Sequence, residues 1–545
     1  MKCVVGAAVL LLASAAGCGD DSSGQDAAEI QEDGRDAEGG ADGDADADAD
    51  ADGDADADGD ADADGDADAD AELCTAGSGR SFYVSPEGRD DAAGTLEAPF
   101  ATLARAAEAG QPGDVVLLLP GTFRERLVPP RSGLEGSPIT FRSADPGVPA
   151  VIDGTDVDVG AEGLVHVQGV SFVQVCDLVV RNSAGVGVNV RRIYVPEVIP
   201  EHVVLSGLRV ENSGEAAILA QGARFLVIDG NETRESVSSG IGVWRSSDVV
   251  VSRNEVVNAR NDEVRGHEES ISIASTERFE VIGNEVYLEG REGFLGNEGI
   301  DVKESSRDGR VRGNHVHDFP VTGGSIYVDA WTAGLDGTPS LANVDITGNL
   351  VVRSSGIAIG SERGGTVEQV RVWNNIVVDS GFCGIVLSDT GRTSGGNGPR
   401  RGISIWNNTI SGGTGNGGAG IYIVTSNVED IVVQNNIVAF GSLWVGEITA
   451  ATADALSELT VDHNLVFGRK ECSLAFPDCV ELSDWPANVT ADPLFVGPAD
   501  LDFHLLSGSP AIDTGTELPL VPLDYEGNAR PQGAAYDVGA FERVP

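Results

Sequence analysis

Gly299-Ile300-Asp301-Val302 has the shape that decides the fold: a glycine, an aliphatic residue, any residue, and a second aliphatic residue. The shape returns at Gly185-Val186-Gly187-Val188, Gly240-Ile241-Gly242-Val243, Gly356-Ile357-Ala358-Ile359, Gly384-Ile385-Val386-Leu387 and Gly420-Ile421-Tyr422-Ile423. Ser270-Ile271-Ser272-Ile273 and Ser325-Ile326-Tyr327-Val328 repeat it without the glycine. Alternation over four residues reads as a strand with one face inward. Working outward, an Asn followed two residues later by Val or Ile recurs at Asn254, Asn284, Asn314, Asn349, Asn375, Asn408, Asn436 and Asn464. The steps are 30, 30, 35, 26, 33, 28 and 28 residues, the period of a solenoid. Each unit reads as two or three short strands joined by Gly, Asn and Ser turns. Stacked in parallel, the units bury a Val/Ile face. The corner asparagines, expected in left-handed backbone geometry, would bond to one another as a ladder.

The chain has 545 residues, 72 of them Gly and one Met, which speaks against a helical protein. Net charge is −52, and 23 of those charges come from 24 acidic residues and one arginine between Gly19 and Glu72. The 29 that remain on the body disfavour nucleic acid, which needs basic surface, and suit divalent cations or solubility.

The first residues read as a targeting signal: Lys2, then a Val4–Ala13 apolar run too short to span a membrane. Ala15-Ala16-Gly17-Cys18 resembles a bacterial lipobox. The resemblance implies cleavage before Cys18, lipidation of its thiol, and a protein anchored in the bacterial cell envelope, at the outer membrane or cell surface. A plain secretory signal is the alternative. Residues 1–17 are therefore expected as signal peptide and 18–78 as a disordered, self-repelling Asp/Ala/Gly tether. The Asp-Gly repeat also suggests calcium loops, but lacks the closing Glu of an EF-hand. Cys472 and Cys479 close a short loop around Pro477 and are expected as a disulfide. Cys176 and Cys383 read as buried small residues, and Cys74 has no obvious partner.

Residues 79–150 contain YVSPEGRD at Tyr83–Asp90 and APFATLARAAEAGQPGDVVLLLPGTFRE from Ala98. This block resembles the amino-terminal cap of bacterial right-handed parallel β-helix proteins. With it, the expected fold class is all-β: a right-handed parallel β-helix, residues 151–485, with a short amino-terminal capping helix near Thr102–Ala109. Residues 486–545, with DPLF, SPAID, RPQG and DVGAFE, resemble a carboxy-terminal module of exported bacterial β-helix proteins, expected to cap the last coil.

Most repeated strands carry small or apolar residues outward; NEGIDVK (Asn297–Lys303) carries Asp301 and Lys303, with Glu298 just before. The chain has only Lys2, Lys303 and Lys470 as lysines. Aligning the strands puts Ser272, Asp301 and Tyr327 in one outward column and Ala274, Lys303 and Asp329 in the next. Glu269 and Glu298 fall together just before the strands. With strands about 4.8 Å apart and outward neighbours about 6.6 Å apart, these groups fit one patch. His267, Glu268, Trp244, Arg245 and Trp331 should border it. A slip of one residue would reverse inward and outward.

Clustered carboxylates can hold Ca²⁺, which would bridge to a uronic-acid carboxylate while a base removes the neighbouring proton for β-elimination. The arrangement is similar to the calcium-dependent pectate lyases of polysaccharide lyase family nine, whose Asp-Gly-Phe and Phe-Lys segments NEGIDVK resembles. By that resemblance Lys303 would be the catalytic base, and Glu269, Glu298 and Asp301 would hold calcium; Asp329, placed in the Lys303 column by the strand alignment, is a further candidate ligand. Tyr327, Arg245 and Trp331 are the substrate contacts. The chain departs from the family in lacking an Asp-Asp-Gly-x-Asp segment. The partner implied is an acidic polysaccharide, met by a monomer.

Three other readings stand beside this one. A charge ladder on a non-catalytic surface or adhesion protein is the first, with Lys303 made a poor base by its carboxylates. A transition metal on His315 and His317, for which a third ligand is not evident, is the second. A glycosidase pair, Glu298 with Asp329, is the third.

Overall fold

The computed structural model describes residues 73–74, 79–160, 162–259, 269–290, 298–319, 324–330, 341–361, 364–380, 383–387, 398–412, 420–423, 425, 427–440, 448–450, 458–468, 480–481 and 485–544. The expected signal peptide, the expected tether up to Glu72, and Cys18, His267, Glu268, Trp331, Cys472 and Cys479 lie outside these residues; the end of the tether, Leu73 and Cys74, is instead held on the helix by the side chains of Gln174 and Arg142.

Three long sheets run side by side, each made by stacking equivalent strands of successive coils. The first has 14 strands, from Ser81–Val84 to Leu459–Asp462. The second has 14, from Thr122–Phe123 to Val489–Thr490, and the third has 12, from Val165–Gln168 to Val480–Glu481. One coil shows the path: Glu201–Ser206 in the first sheet, Arg209–Glu211 in the second, Ile218–Gln221 in the third, then Arg224–Asp229 back in the first. Neighbouring strands are parallel except Ile448–Ala450 against Val480–Glu481.

The repeated aliphatic positions explain the stacking. Ile241 and Val243, Ile271 and Ile273, Ile300 and Val302, and Ile326 and Val328 all point inward and are completely buried. They belong to one apolar core that extends from Val84 to Val466. Leu103–Ala109 forms the expected short helix, its first turn capped by the Thr102 hydroxyl, which accepts from the Arg105 N–H at 3.1 Å. Leu103, Ala106 and Ala107 join the core.

The asparagine ladder forms inside the helix. The Asn254 backbone N–H and its side-chain amide both donate to Asn284 Oδ1 at 2.9 Å, and the amide also donates to the Ile228 carbonyl at 3.0 Å. The same pattern repeats to Asn464 and extends to Asn231 and Asn488, two rungs the sequence reading missed. The left-handed residue is not the ladder asparagine, as expected, but the one before it: Arg253, Asn374, Asn407, Asn435 and His463, or a glycine such as Gly283, Gly313 and Gly348. Bending the chain one residue early lets the asparagine aim inward, where its amide pairs backbone groups that the turn leaves open.

The cysteines correct the sequence reading. Cys74 and Cys176 form a disulfide across 102 residues, and Cys383 is disulfide-bonded as well. Cys74 lies far from Cys176 in sequence, so local patterning could not pair them.

The carboxy-terminal module also differs from expectation. It lies along the flank of the helix, over the second sheet, rather than only over the last coil. Phe503, Ala540 and Phe541 pack on Val352, Ile376 and Val378, while Leu505, Ala511 and Val538 pack on Ile437, Ala439 and Leu465. Polar groups fix it there: the Asn407 amide donates to the Asp537 and Gly539 carbonyls at 3.1 and 3.0 Å. Its two end motifs meet in a fully buried pair, Arg530 to Glu542 at 2.8 Å.

Candidate functional site

The third sheet sets the register of the candidate site. Ser272 pairs with Asp301 and Asp301 with Tyr327; Ala274 pairs with Lys303 and Lys303 with Asp329. These are the two columns expected from the repeat alignment. Inward isoleucines and valines fix the register, since a one-residue slip would turn Asp301 and Lys303 into the core.

The structure brings Glu269, Asp301 and Lys303 together. The Lys303 ammonium pairs with Glu269 and lies 3.5 Å from Asp301 Oδ2. Glu298 is in the same buried region by electrostatic contact, as is Asp329. The cluster is not the surface patch expected. Asp301 is 2 % exposed, and Glu269, Glu298 and Asp329 are also buried; the Lys303 side chain keeps 24 % of its surface. Other outer-face residues of this sheet are buried too. Val186, Ala216 and Leu219 form a buried apolar group toward the amino-terminal side, and Tyr327, Ala358, Cys383, Val386 and Tyr422 form another beyond the cluster. Tyr327 is thus packed among apolar neighbours rather than presented to solvent.

Burial and mutual charge set the protonation states. Burial alone would depress the Lys303 ammonium, but Glu269, Asp301 and Asp329 outweigh it and hold the group well above its ordinary value. Burial and the Asp329 charge push Asp301 well up, against the pull of Lys303. Glu269 goes the other way: burial would raise it, yet the charge and hydrogen bond of Lys303 bring it below the usual range. Neighbouring carboxyl groups with opposed shifts can split into a proton donor and an ionised partner.

For calcium, the donor type fits. The groups are hard oxygen donors, and Asp301 Oδ1 is buried with no hydrogen-bond partner among the described residues. However, no three of these carboxylates bring their oxygens within 4.8 Å of one another; among the described residues only Glu285, His315 and His317 form such a group. An ion here would need the side chains to turn toward it.

Arg245 stands apart from the cluster, in a pocket of 520 Å³ that it shares with Arg192, Arg224, Phe225 and Arg278. Arg278 is held by Asp248 at 2.7 Å, Arg224 by Glu201 at 3.6 Å and Arg192 by Glu197 at 3.5 Å. Arg245 has no ion pair among the described residues. The pocket reaches Ser275, whose neighbour Ala274 pairs with Lys303. Trp244 borders the cluster as expected, its indole N–H 3.4 Å from Ser272 Oγ. The sequence reading missed this arginine pocket: Arg224 and Arg278 stand at the starts of first-sheet strands and Arg192 and Arg245 between strands, positions outside the Gly-aliphatic repeat on which the coils were aligned.

A family described as right handed beta helix region matches residues 163–338. The body of this chain is a right-handed β-helix. Over 67 residues the chain is 49% identical to the uncharacterized protein YwoF of Bacillus subtilis (strain 168), covering 12% of this chain and 14% of that one. Over 126 residues it is 30% identical to pectate lyase PEL9 of Emericella nidulans, covering 21% of this chain and 30% of that one. The chain thus spans less than a third of either curated relative. Among solved structures, the β-helix is similar to pectate lyase Pel9A, with 16% identity, TM-score 0.44 and coverage of 85% of this chain and 96% of the other. It is also similar to the A-module of mannuronan C-5 epimerase AlgE4 of Azotobacter vinelandii, with 17% identity, TM-score 0.47 and coverage of 66% and 94%.

Proposed function

We propose that this protein is exported, lipid-anchored through Cys18, and binds or cleaves an acidic extracellular polysaccharide on the third-sheet side of the β-helix. The sharp form is a calcium-assisted uronide lyase. The observation that carries the reading is the buried group of Glu269, Glu298, Asp301 and Asp329 around Lys303. A buried excess of carboxylates destabilises a fold unless it is paired, and such costs concentrate where chemistry is done. The partial match to a pectate lyase supports the substrate class.

In this reading the arginine pocket receives a uronate carboxylate, with Arg245 free to pair with it and Phe225 offering an exposed ring for a sugar face. Glu269, Glu298, Asp301 and Asp329 are the groups that would hold calcium, and the ion when bound would neutralise the carboxylates and stabilise charge beside the substrate carboxyl. Lys303 is the group that exchanges the substrate proton. In the state described here it is protonated, so its service as a base depends on withdrawal of the surrounding negative charge.

The test is the ultraviolet absorbance of unsaturated uronide products. The full chain would be incubated with pectate, alginate and glycosaminoglycans at alkaline pH, with Ca²⁺ and with chelator. A calcium-dependent rise that Lys303→Ala abolishes is expected. Binding of one polymer with no rise on any would replace the lyase by the second reading, a non-catalytic polysaccharide-binding surface protein. Loss of binding in Arg245→Ala would still place the polymer at the pocket.

A further inference from the structure

We propose a second site, on the second sheet, that takes one divalent cation of the zinc class through His315, His317 and Glu285. The two histidines alternate on one strand, His315–His317, so both rings stand on its outer face. Glu285 is on the preceding coil, paired in register with His315. Glu285 Oε1 lies 3.6 Å from His315 Nδ1 and 3.3 Å from His317 Nε2, and all three ligand atoms lie within 4.8 Å of one another. Ligands bound tetrahedrally to zinc at about 2.0–2.1 Å stand about 3.4 Å apart, so the spacing already suits the ion.

The surroundings prepare His317 for that role. Its Nδ1 lies 2.7 Å from Asp318 Oδ2. Arg353 clamps the same carboxylate through two contacts at 2.6 and 2.7 Å. An ionised carboxylate can only accept, so Nδ1 carries a proton, and Nε2 is the nitrogen that faces Glu285. A carboxylate behind a histidine in this way orients metal-binding imidazoles and raises their basicity. Tyr287 stacks on the His317 ring at 4.8 Å and fixes its plane. Glu285 Oε1 and His317 Nε2 face each other at 3.3 Å, a gap that a proton on Nε2 or a bound cation would bridge. Two nitrogens and one carboxylate oxygen suit zinc and its first-row neighbours better than calcium or magnesium. The ion would join two coils and keep a coordination position open to solvent, since Glu285 and His315 are both exposed by more than a third of their side-chain surface. The sequence named both histidines; only the register supplies Glu285 as the third ligand.

The experiment titrates Co²⁺ into untagged, chelator-stripped full-length protein and follows the visible d–d absorption, with zinc as competitor. The expected result is one equivalent with nitrogen-ligated tetrahedral absorption, displaced by zinc and absent in His315→Ala and in His317→Ala. Asp318→Asn keeps all three ligands and should weaken binding about 10–100-fold. Circular dichroism of each variant confirms that the helix is intact, and a zinc K-edge spectrum counts the imidazoles on the native protein. Two outcomes overturn the proposal. One is cobalt absorption unchanged in the His315→Ala/His317→Ala double variant, which assigns the metal to the acidic residues elsewhere. The other is an uptake with no nitrogen ligation, which leaves only an imidazolium–carboxylate pair.

Discussion

Replacing Lys303 by methionine keeps the length and apolar stem of the side chain and removes the cation that pairs with Glu269. The Coulomb attraction between Lys303 and the Glu269 carboxylate it contacts is about 4 kcal/mol in an effective dielectric of about 20, before desolvation. Removing one partner of a buried ion pair costs about 3–5 kcal/mol when the other stays charged. That loss must depend on pH. Glu269 is depressed by Lys303, so its contribution is present above the unfolded carboxylate range and is lost as pH falls through the folded value. Asp301 is raised, so its ionisation opposes folding as pH climbs above the unfolded carboxylate range, and more strongly once Lys303 is gone. The Lys303 contribution is complete below the unfolded lysine value and is lost only as pH rises through its still higher folded value. Lys303→Met should therefore cost little in acid, where the carboxylates are protonated, and about 3–5 kcal/mol at neutral pH. Urea-unfolding midpoints of both proteins across this range measure it, with Lys303→Met/Glu269→Gln as a partial rescue. An equal loss at both ends of the range, or no recovery in the double variant, would refute the buried-pair reasoning.

Three further outcomes follow from the packing. Gly309 faces the Phe279 ring, and a Cβ there would stand 2.0 Å from it; Gly309→Ala should cost about 1–3 kcal/mol in denaturant unfolding, with part recovered by Phe279→Leu. Asn314→Ala removes the acceptor of the Asn284 N–H and the donor to the Val281 carbonyl, both buried; at about 1–3 kcal/mol for each group left unpaired, it should lower the unfolding midpoint more than Asn488→Ala at the half-buried last rung. Cys74→Ser opens a loop spanning 102 residues; a loss of about 2–5 kcal/mol is expected, read from the melting of the variant against the native protein.

The sequence by itself determined the repeated coil, the strand that carries Asp301 and Lys303, and their outward columns. It could do so because the period of a strand is two and the inward Ile/Val positions leave one register. It also placed eight rungs of the ladder, since a buried corner asparagine repeats at the coil period. Tertiary structure alone decided the rest. The Cys74–Cys176 bridge, the flank on which the last module lies, and the meeting of four arginines around one pocket depend on chain segments far apart in sequence. Burial of the Glu269–Asp301–Lys303 cluster was hidden for a related reason. A period shows which face of a strand a side chain takes, but whether that face meets water depends on what the rest of the chain lays over it, and with it whether Lys303 is a solvated charge or a buried, protonated one.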